Sequence, residues 1–189
     1  MGKLSLGLCK PARRLVHEMI GIQARQSVRL SEVVRSLEEN IPFIKTEMRL
    51  SNNPARPALR PVLQRALLRE GDHRVGWDSL LVLDPSDVIK PYALKMECPA
   101  RVRDGSKKEI GNGYETMQVI AVEPDGEEIT PLYGDLFSSK AEDFVSENDE
   151  ILRAIRLVST AAQRRGIWGI DRGGDRGELY DELVPLEKG

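Results

Sequence analysis

The chain has 189 residues, 40% hydrophobic and 31% charged, with a net charge of −2, which is apolar enough to bury a core and excludes disorder throughout. No apolar run approaches the roughly 20 residues that span a bilayer, and the opening MGKLSLGLCKPARR lacks the sustained apolar segment of a secretory signal, so the expectation is a cytoplasmic protein with no membrane partner. Cys9 and Cys98 stand far apart, with no CxxC pair and only His17 and His73 besides, which supports neither a zinc site nor a disulfide framework and leaves two buried or idle thiols.

The small net charge hides an asymmetry. Residues 1–75 carry a balance of +7 and residues 76–189 a balance of −9. A basic front half joined to an acidic back half fits two readings, nucleic-acid contact at the front or a soluble helical domain rich in arginine.

Taken in chain order, Pro11 to Ile22 is expected as a helix, with Leu15, Val16, Met19, Ile20 and Ile22 on a helical stripe and Pro11 in the first turn. A second helix is expected to open at Ser31 as N-cap, with Glu32 in its first turn and Val33, Val34, Leu37 and Ile41 on one face, until Pro42 stops it. Helix, short link, helix in a basic context is compatible with a helix-turn-helix DNA reader and equally with a small helical bundle. Residues 51–61, SNNPARPALRP, form a breaker, after which Leu63, Ala66 and Leu67 mark a further short helix. Gly71 and Gly76 set the boundary, giving a small all-helical domain over 1–75 and a second domain over 76–189.

After Trp77 the texture changes to α/β. Ser79–Leu83 is a short unbroken apolar run ending in Asp84, as a buried strand would, with Pro85-Ser86-Asp87 terminating it. Residues 99–112 are polar and glycine-bearing, hence loop. Met117–Val122 and Ile129–Leu132, around the turn Glu123-Pro124-Asp125-Gly126, give an antiparallel hairpin. Ser146 caps a helix with Asp149 three residues on and Ile151, Leu152, Ile155 and Val158 as its stripe; Arg164-Arg165-Gly166 closes it. The run Ile167-Trp168-Gly169-Ile170 then ends in Asp171, and another helix begins around Glu178. If this last strand returns beside the first and parallel to it, Asp84 and Asp171 meet at one edge. Two adjacent carboxylates stay ionised cheaply only with a cation between them, and Mg²⁺ is the hard, oxygen-liking ion that suits phosphodiester chemistry.

The stretches LVLDPSDVIKPYALKME, VRDGSKKEIGNGYETMQVIAVEPDGEEITPLYGDLFSSKAEDFVSENDEIL and GIWGIDRGGDRGELYDEL resemble insertion-sequence transposases of the DDE class, over about 79–183. A weaker echo lies in VRLSEVVRSL and KTEMRLS of the front half. The resemblance implies an RNase H-like core, a mixed sheet with a crossover helix, here incomplete. It also implies Asp84 and Asp171 as catalytic Mg²⁺ ligands for cleaving and joining DNA, with double-stranded DNA at the element ends as partner. Asp87 ranks second to Asp84 as the first ligand. A homodimer or a complex with a full-length transposase, and association with the nucleoid when DNA is bound, go with that reading. Lys90 and Arg172 are either phosphate contacts or solvated cations near a charged edge. Arg29, Arg35 and Arg49 are the front domain's candidates for DNA backbone contact. Tyr92, Trp77 and Trp168 are taken as packing groups.

One departure matters. The family's third acid, within a Tyr-x2-Arg-x3-Glu-x6-Lys signature beyond the second Asp, has no counterpart: Leu183 stands three positions after Tyr180. The expectation is therefore a transposase front end that performs little or no strand transfer alone, with an unpaired edge at its last strand and one sheet face partly uncovered. The alternative is a non-catalytic DNA-binding protein that occupies element ends and inhibits the full enzyme. An unrelated RNase H-like nuclease fits the paired aspartates but not the wider match.

Overall fold

The structure is a computed structural model and describes residues 8–52, 59–91, 95–105, 108–170, 177 and 179. The chain divides into two compact units, Met1–Glu70 and Gly71–Gly189.

In the first unit, α1 (Lys10–Arg25) carries Pro11 in its first turn, as a residue with no N–H to leave unpaired should. Its C-cap, Gln26, takes a left-handed conformation. The next helix, α2 (Leu30–Leu37), begins earlier than expected: Arg29, not Ser31, is the N-cap. The cause is local. The Ser27 hydroxyl accepts the Arg29 N–H at 3.2 Å, and the Arg29 carbonyl already receives the N–H groups of Glu32 and Val33. The helix also ends early, at a left-handed Glu38, so Ile41 lies outside it and exposed. Pro42, expected only as a stop, starts a helix not foreseen, α3 (Phe43–Asn52), by accepting the N–H groups of Lys45 and Thr46. Then α4 (Leu59–Gly71) supplies the further helix, longer than its short stripe suggested.

Among the described residues, two apolar clusters hold this unit. Leu8 and Ala12 pack with Leu59 and Ala66, flanked by Leu15, Val16, Val62 and Leu63. Val33, Val34 and Leu50 pack with Ile22, Leu30 and Leu37. Gly21 lets α1 and α2 come close, since a Cβ there would lie 3.1 Å from side-chain atoms of Val33, Ser36 and Leu37.

The second unit is mixed α/β. Among the described residues its strands are β1 (Leu80–Ile89), β2 (Ala100–Asp104), β3 (Glu109–Val122), β4 (Ile129–Phe137) and β5 (Ile167–Ile170), with α5 (Glu147–Ala161) between the last two. They form one mixed sheet, in which β1 lies between β3 and β5. The far side of the long β3 is shared, its first residues pairing with β2 and the rest with β4. The expected hairpin is β3–β4, closed by Gly126 at positive φ donating to Glu123 O at 2.8 Å. The α5 cap is as expected: Ser146 Oγ accepts the Asp149 N–H at 3.1 Å. On that helix Ile151, Ala154, Ile155 and Val158 are buried, while Leu152 is half-buried. The stretch expected as loop over 99–112 instead contains β2 and the start of β3. Ala100 and Val102 bury themselves opposite Gly113 and Gly111, an alternation of period two that the intervening arginines mask by charge.

The crossover expectation holds: after α5 the chain returns as β5, parallel to β1 and paired with it from Leu80↔Ile167 to Leu83↔Ile170. Gly166, at positive φ with Leu81 2.8 Å from where a Cβ would sit, makes the entry to β5 possible only for glycine. Among the described residues β5 has one partner, β1, and stands at the sheet edge.

Registers sort the side chains into two faces. Leu81, Leu83, Met117, Val119, Ala121 and Tyr133 share the buried face, where α5 packs on β3 and β4. The opposite face carries Leu80, Ile110, Ile129, Leu136 and Ile167, all between 42% and 62% exposed. An apolar face this open is unusual for a sheet in a folded core.

Candidate metal and nucleic-acid site

Asp84 does not end its strand. It sits in the fifth position of β1, which runs on through Pro85, Ser86 and Asp87 to Ile89 against β3. Asp84 is exposed, faces Gln118 across the ladder, and projects from the open sheet face. The expected terminator Pro85 is accommodated because β5 reaches only as far as Leu83; past that point the described ladder is one-sided, and a proline, with no N–H to donate, is compatible with it. Asp171 and Arg172 lie outside the described residues, as does Tyr92. Ile170, the residue before Asp171, pairs with Leu83, the residue before Asp84.

Asp87 belongs to a different site. Three positions along a strand reverse the side chain, so Asp87 shares the α5 face while Asp84 points away from it. Directly opposite Asp87 is Glu115. Desolvation first, and then the Glu115 charge, raise the Asp87 pKa above the ordinary 3.8, with Glu147 and Asp104 adding to the rise and a backbone hydrogen bond from Arg103 opposing it. One carboxylate oxygen of Glu115 is inaccessible to solvent and has no hydrogen-bond partner among the described residues. Sequence reasoning missed this acidic group, because only the strand register brings β1, β2, β3 and the start of α5 together. Among the described residues no group of three or more His, Cys, Asp and Glu is arranged to hold a metal ion. Asp84 can contribute one hard oxygen ligand, of the kind Mg²⁺ takes.

The basic candidates separate by what they touch. Arg29 is an exposed cap residue, 3.4 Å from Glu32. Arg35, also exposed, lies over the Phe43 ring with its guanidinium carbon 5.7 Å from the centroid, a cation–π arrangement between α2 and α3. Arg49 is turned inward: its Nε donates to Glu18 at 3.0 Å and its terminal nitrogen to Glu39 at 2.9 Å, while Glu39 also accepts the Thr46 hydroxyl. Burial lowers the guanidinium pKa, but the hydrogen bonds to Glu39 and Glu18 outweigh that and raise it overall. Glu18 is itself 1% exposed, so Arg49 neutralises a buried charge and ties α1 to α3. Lys90 follows β1 and is exposed, its backbone N–H held by Asn112 O at 2.8 Å.

Three further expectations meet the side chains directly. Trp77, expected to pack, is 72% exposed, whereas Trp168 is half-buried in β5. Cys9 and Cys98 are both free and both exposed, not buried. No described helix is long and apolar enough to cross a membrane. Compared with known proteins, the chain matches no family model and no curated sequence.

Proposed function

We propose that the second unit is an RNase H-like core of the DDE transposase kind, serving Mg²⁺-dependent cleavage and joining of DNA, with Asp84 and Asp171 as its first two acids. One observation supports this above the others: β1 and β5 run parallel and in register up to Leu83 and Ile170, the residues immediately before the two aspartates. A crossover helix joining two parallel strands, with an acid next in the chain after the paired stretch of each, is the arrangement such chemistry needs. Mg²⁺ held there would supply charge neutralisation at the phosphate. Asp84 is exposed on the open face, where a duplex would have to approach it.

A second reading, DNA binding without catalysis, draws on the first unit. There α2 and α3 lie across a five-residue link with α1 packed on α2, a helix-turn-helix-compatible order in a basic segment. One experiment addresses both: binding of the full chain to duplexes carrying the DNA that flanks its gene, against unrelated duplex, over a range of salt, followed by incubation with Mg²⁺ or Mn²⁺. Specific binding with metal-dependent nicking abolished by Asp84→Asn supports the first reading. Specific binding without nicking supports the second. No duplex binding at any salt overturns both.

A further inference from the structure

We infer that the β2–β3 ribbon is a docking surface for the phosphate backbone of duplex DNA, an extension of the open face that displays Asp84. This rests on the DNA-directed reading above and adds a contact that lies in neither the helical unit nor the pair of aspartates.

The charge distribution points there first. Residues 71–189 carry a net −9, yet residues 90–112 within them hold six basic and three acidic side chains, a local +3 in an acidic unit. A cation-rich segment in such a setting is the electrostatic footprint of an anionic partner.

Strand register then puts the charge on one side. Arg101 pairs with Asn112 and Arg103 with Ile110, and these positions share the face of Tyr114, Gln118 and Asp84. The other side of the ribbon is occupied by Ala100 and Val102, both buried, opposite two glycines. Both arginines are exposed. Arg101 leans over the ribbon, its guanidinium 3.4 Å from Asn112 Oδ1 and 3.4 Å from the Ile110 carbonyl, contacts long enough to be given up to a phosphate. Neither arginine forms an ion pair with a carboxylate among the described residues. Lys90, hydrogen-bonded to the same ribbon through Asn112, flanks them.

Spacing makes the surface specific to a repeating polyanion. From Gln118, opposite Asp84, to Asn112, opposite Arg101, is six residues of β3, or about 20 Å at about 3.3 Å per residue. Each strand of B-DNA carries one phosphate per about 3.4 Å of helix axis, so a duplex laid along this face has about six base pairs of its length between Asp84 and the arginines and presents phosphates of its two strands to them. A short anionic peptide has no reason to span both places.

The test is the salt dependence of binding of the full chain to a duplex oligonucleotide, wild type against Arg101→Gln/Arg103→Gln and Arg101→Lys/Arg103→Lys. Both side chains are exposed, so folding is not at stake. The glutamine pair is expected to weaken binding about tenfold or more and to reduce the slope of log K against log salt by about 2, whereas the lysine pair keeps the slope. Unchanged affinity and slope in the glutamine pair, with wild type binding normally, overturns the ribbon surface and leaves the DNA-directed reading standing. A wild type that binds no duplex overturns both. Loss of slope in the glutamine pair for a single-stranded oligonucleotide but not for the duplex also overturns the surface as stated.

Discussion

Leu83 and Ile170 are cross-strand neighbours in the parallel pairing of β1 and β5, and each is followed in the chain by an aspartate. Parallel strands keep register partners on the same face of a sheet, so Leu83 and Ile170 both lie on the side covered by α5. The next residue of β1, Asp84, is therefore turned to the open side, where it is exposed. The position of a candidate ligand thus follows from the burial of the leucine before it.

Replacing Asp84 by Asn is expected to leave stability within about 0.5 kcal/mol of wild type, because the side chain is exposed. Titration with paramagnetic Mn²⁺ should broaden the amide signals of Leu83 and Gln118 in wild type and spare them in the variant. Equal broadening in both would place the ion elsewhere.

Asp87 gives a pH dependence of definite sign. Its pKa is raised in the folded state by desolvation and by Glu115, so the native protein binds more protons than the unfolded chain across the window that opens at 3.8 and extends upward. Stability from this group is thus lost as pH rises through that window. Asp87→Asn should raise the melting temperature at neutral pH, and the gain should vanish below the ordinary value of 3.8. A gain that persists there would mean packing, not charge, is responsible.

Arg49 is expected to matter for folding more than for DNA. Arg49→Ala strips a partner from the buried Glu18 and should cost about 3 kcal/mol in denaturant unfolding. Combining Glu18→Gln with Arg49→Met should recover much of that loss, as expected for coupled residues. If Arg49→Ala instead left stability intact and weakened DNA binding alone, Arg49 would be a contact residue after all.

Gly113 is the position of least tolerance in the sheet. A Cβ there would lie 2.1 Å from the Val88 carbonyl oxygen, a backbone atom that cannot rotate away. Gly113→Ala should destabilise by about 3 kcal/mol or more and detach β2 from the sheet first, seen as early amide exchange at Val102.

The open apolar face should be measurable. Ile129→Lys with Ile167→Lys, at positions 60% and 58% exposed, should lower binding of a hydrophobic dye and raise solubility. Stability should change by less than about 0.5 kcal/mol per site.

How much of this could be read from residues alone depends on whether the signal was local. The α5 cap at Ser146, the Glu123–Gly126 turn and the parallel return of Ile167–Ile170 were all legible, because a cap, a turn glycine and an apolar run each carry their meaning within a few residues. Where a residue has two local meanings, the reading failed: Pro42 ends one helix pattern and opens α3, and Pro85 breaks few bonds in a one-sided ladder. β2 was hidden because Arg101 and Arg103 alternate with Ala100 and Val102, and only pairing with β3 gives that alternation a buried side. Arg49's inward turn needed Glu18 and Glu39, 31 and 10 residues away. Asp87 and Glu115, 28 positions apart in sequence, meet through register alone.

The two-residue repeat of β1 has an evolutionary reach. Asp84 and Asp87 stand on opposite sides of the same strand because an odd number of steps separates them. Loss of the single codon for Pro85 or Ser86, with the pairing upstream unchanged, would bring the second aspartate round to the side that holds the first. It would sit one alternation further along, nearer the arginines, and the crowded carboxylates behind the sheet would lose a member in the same event. A deletion of three nucleotides is thus enough to convert a face with one acid in β1 into a face with two.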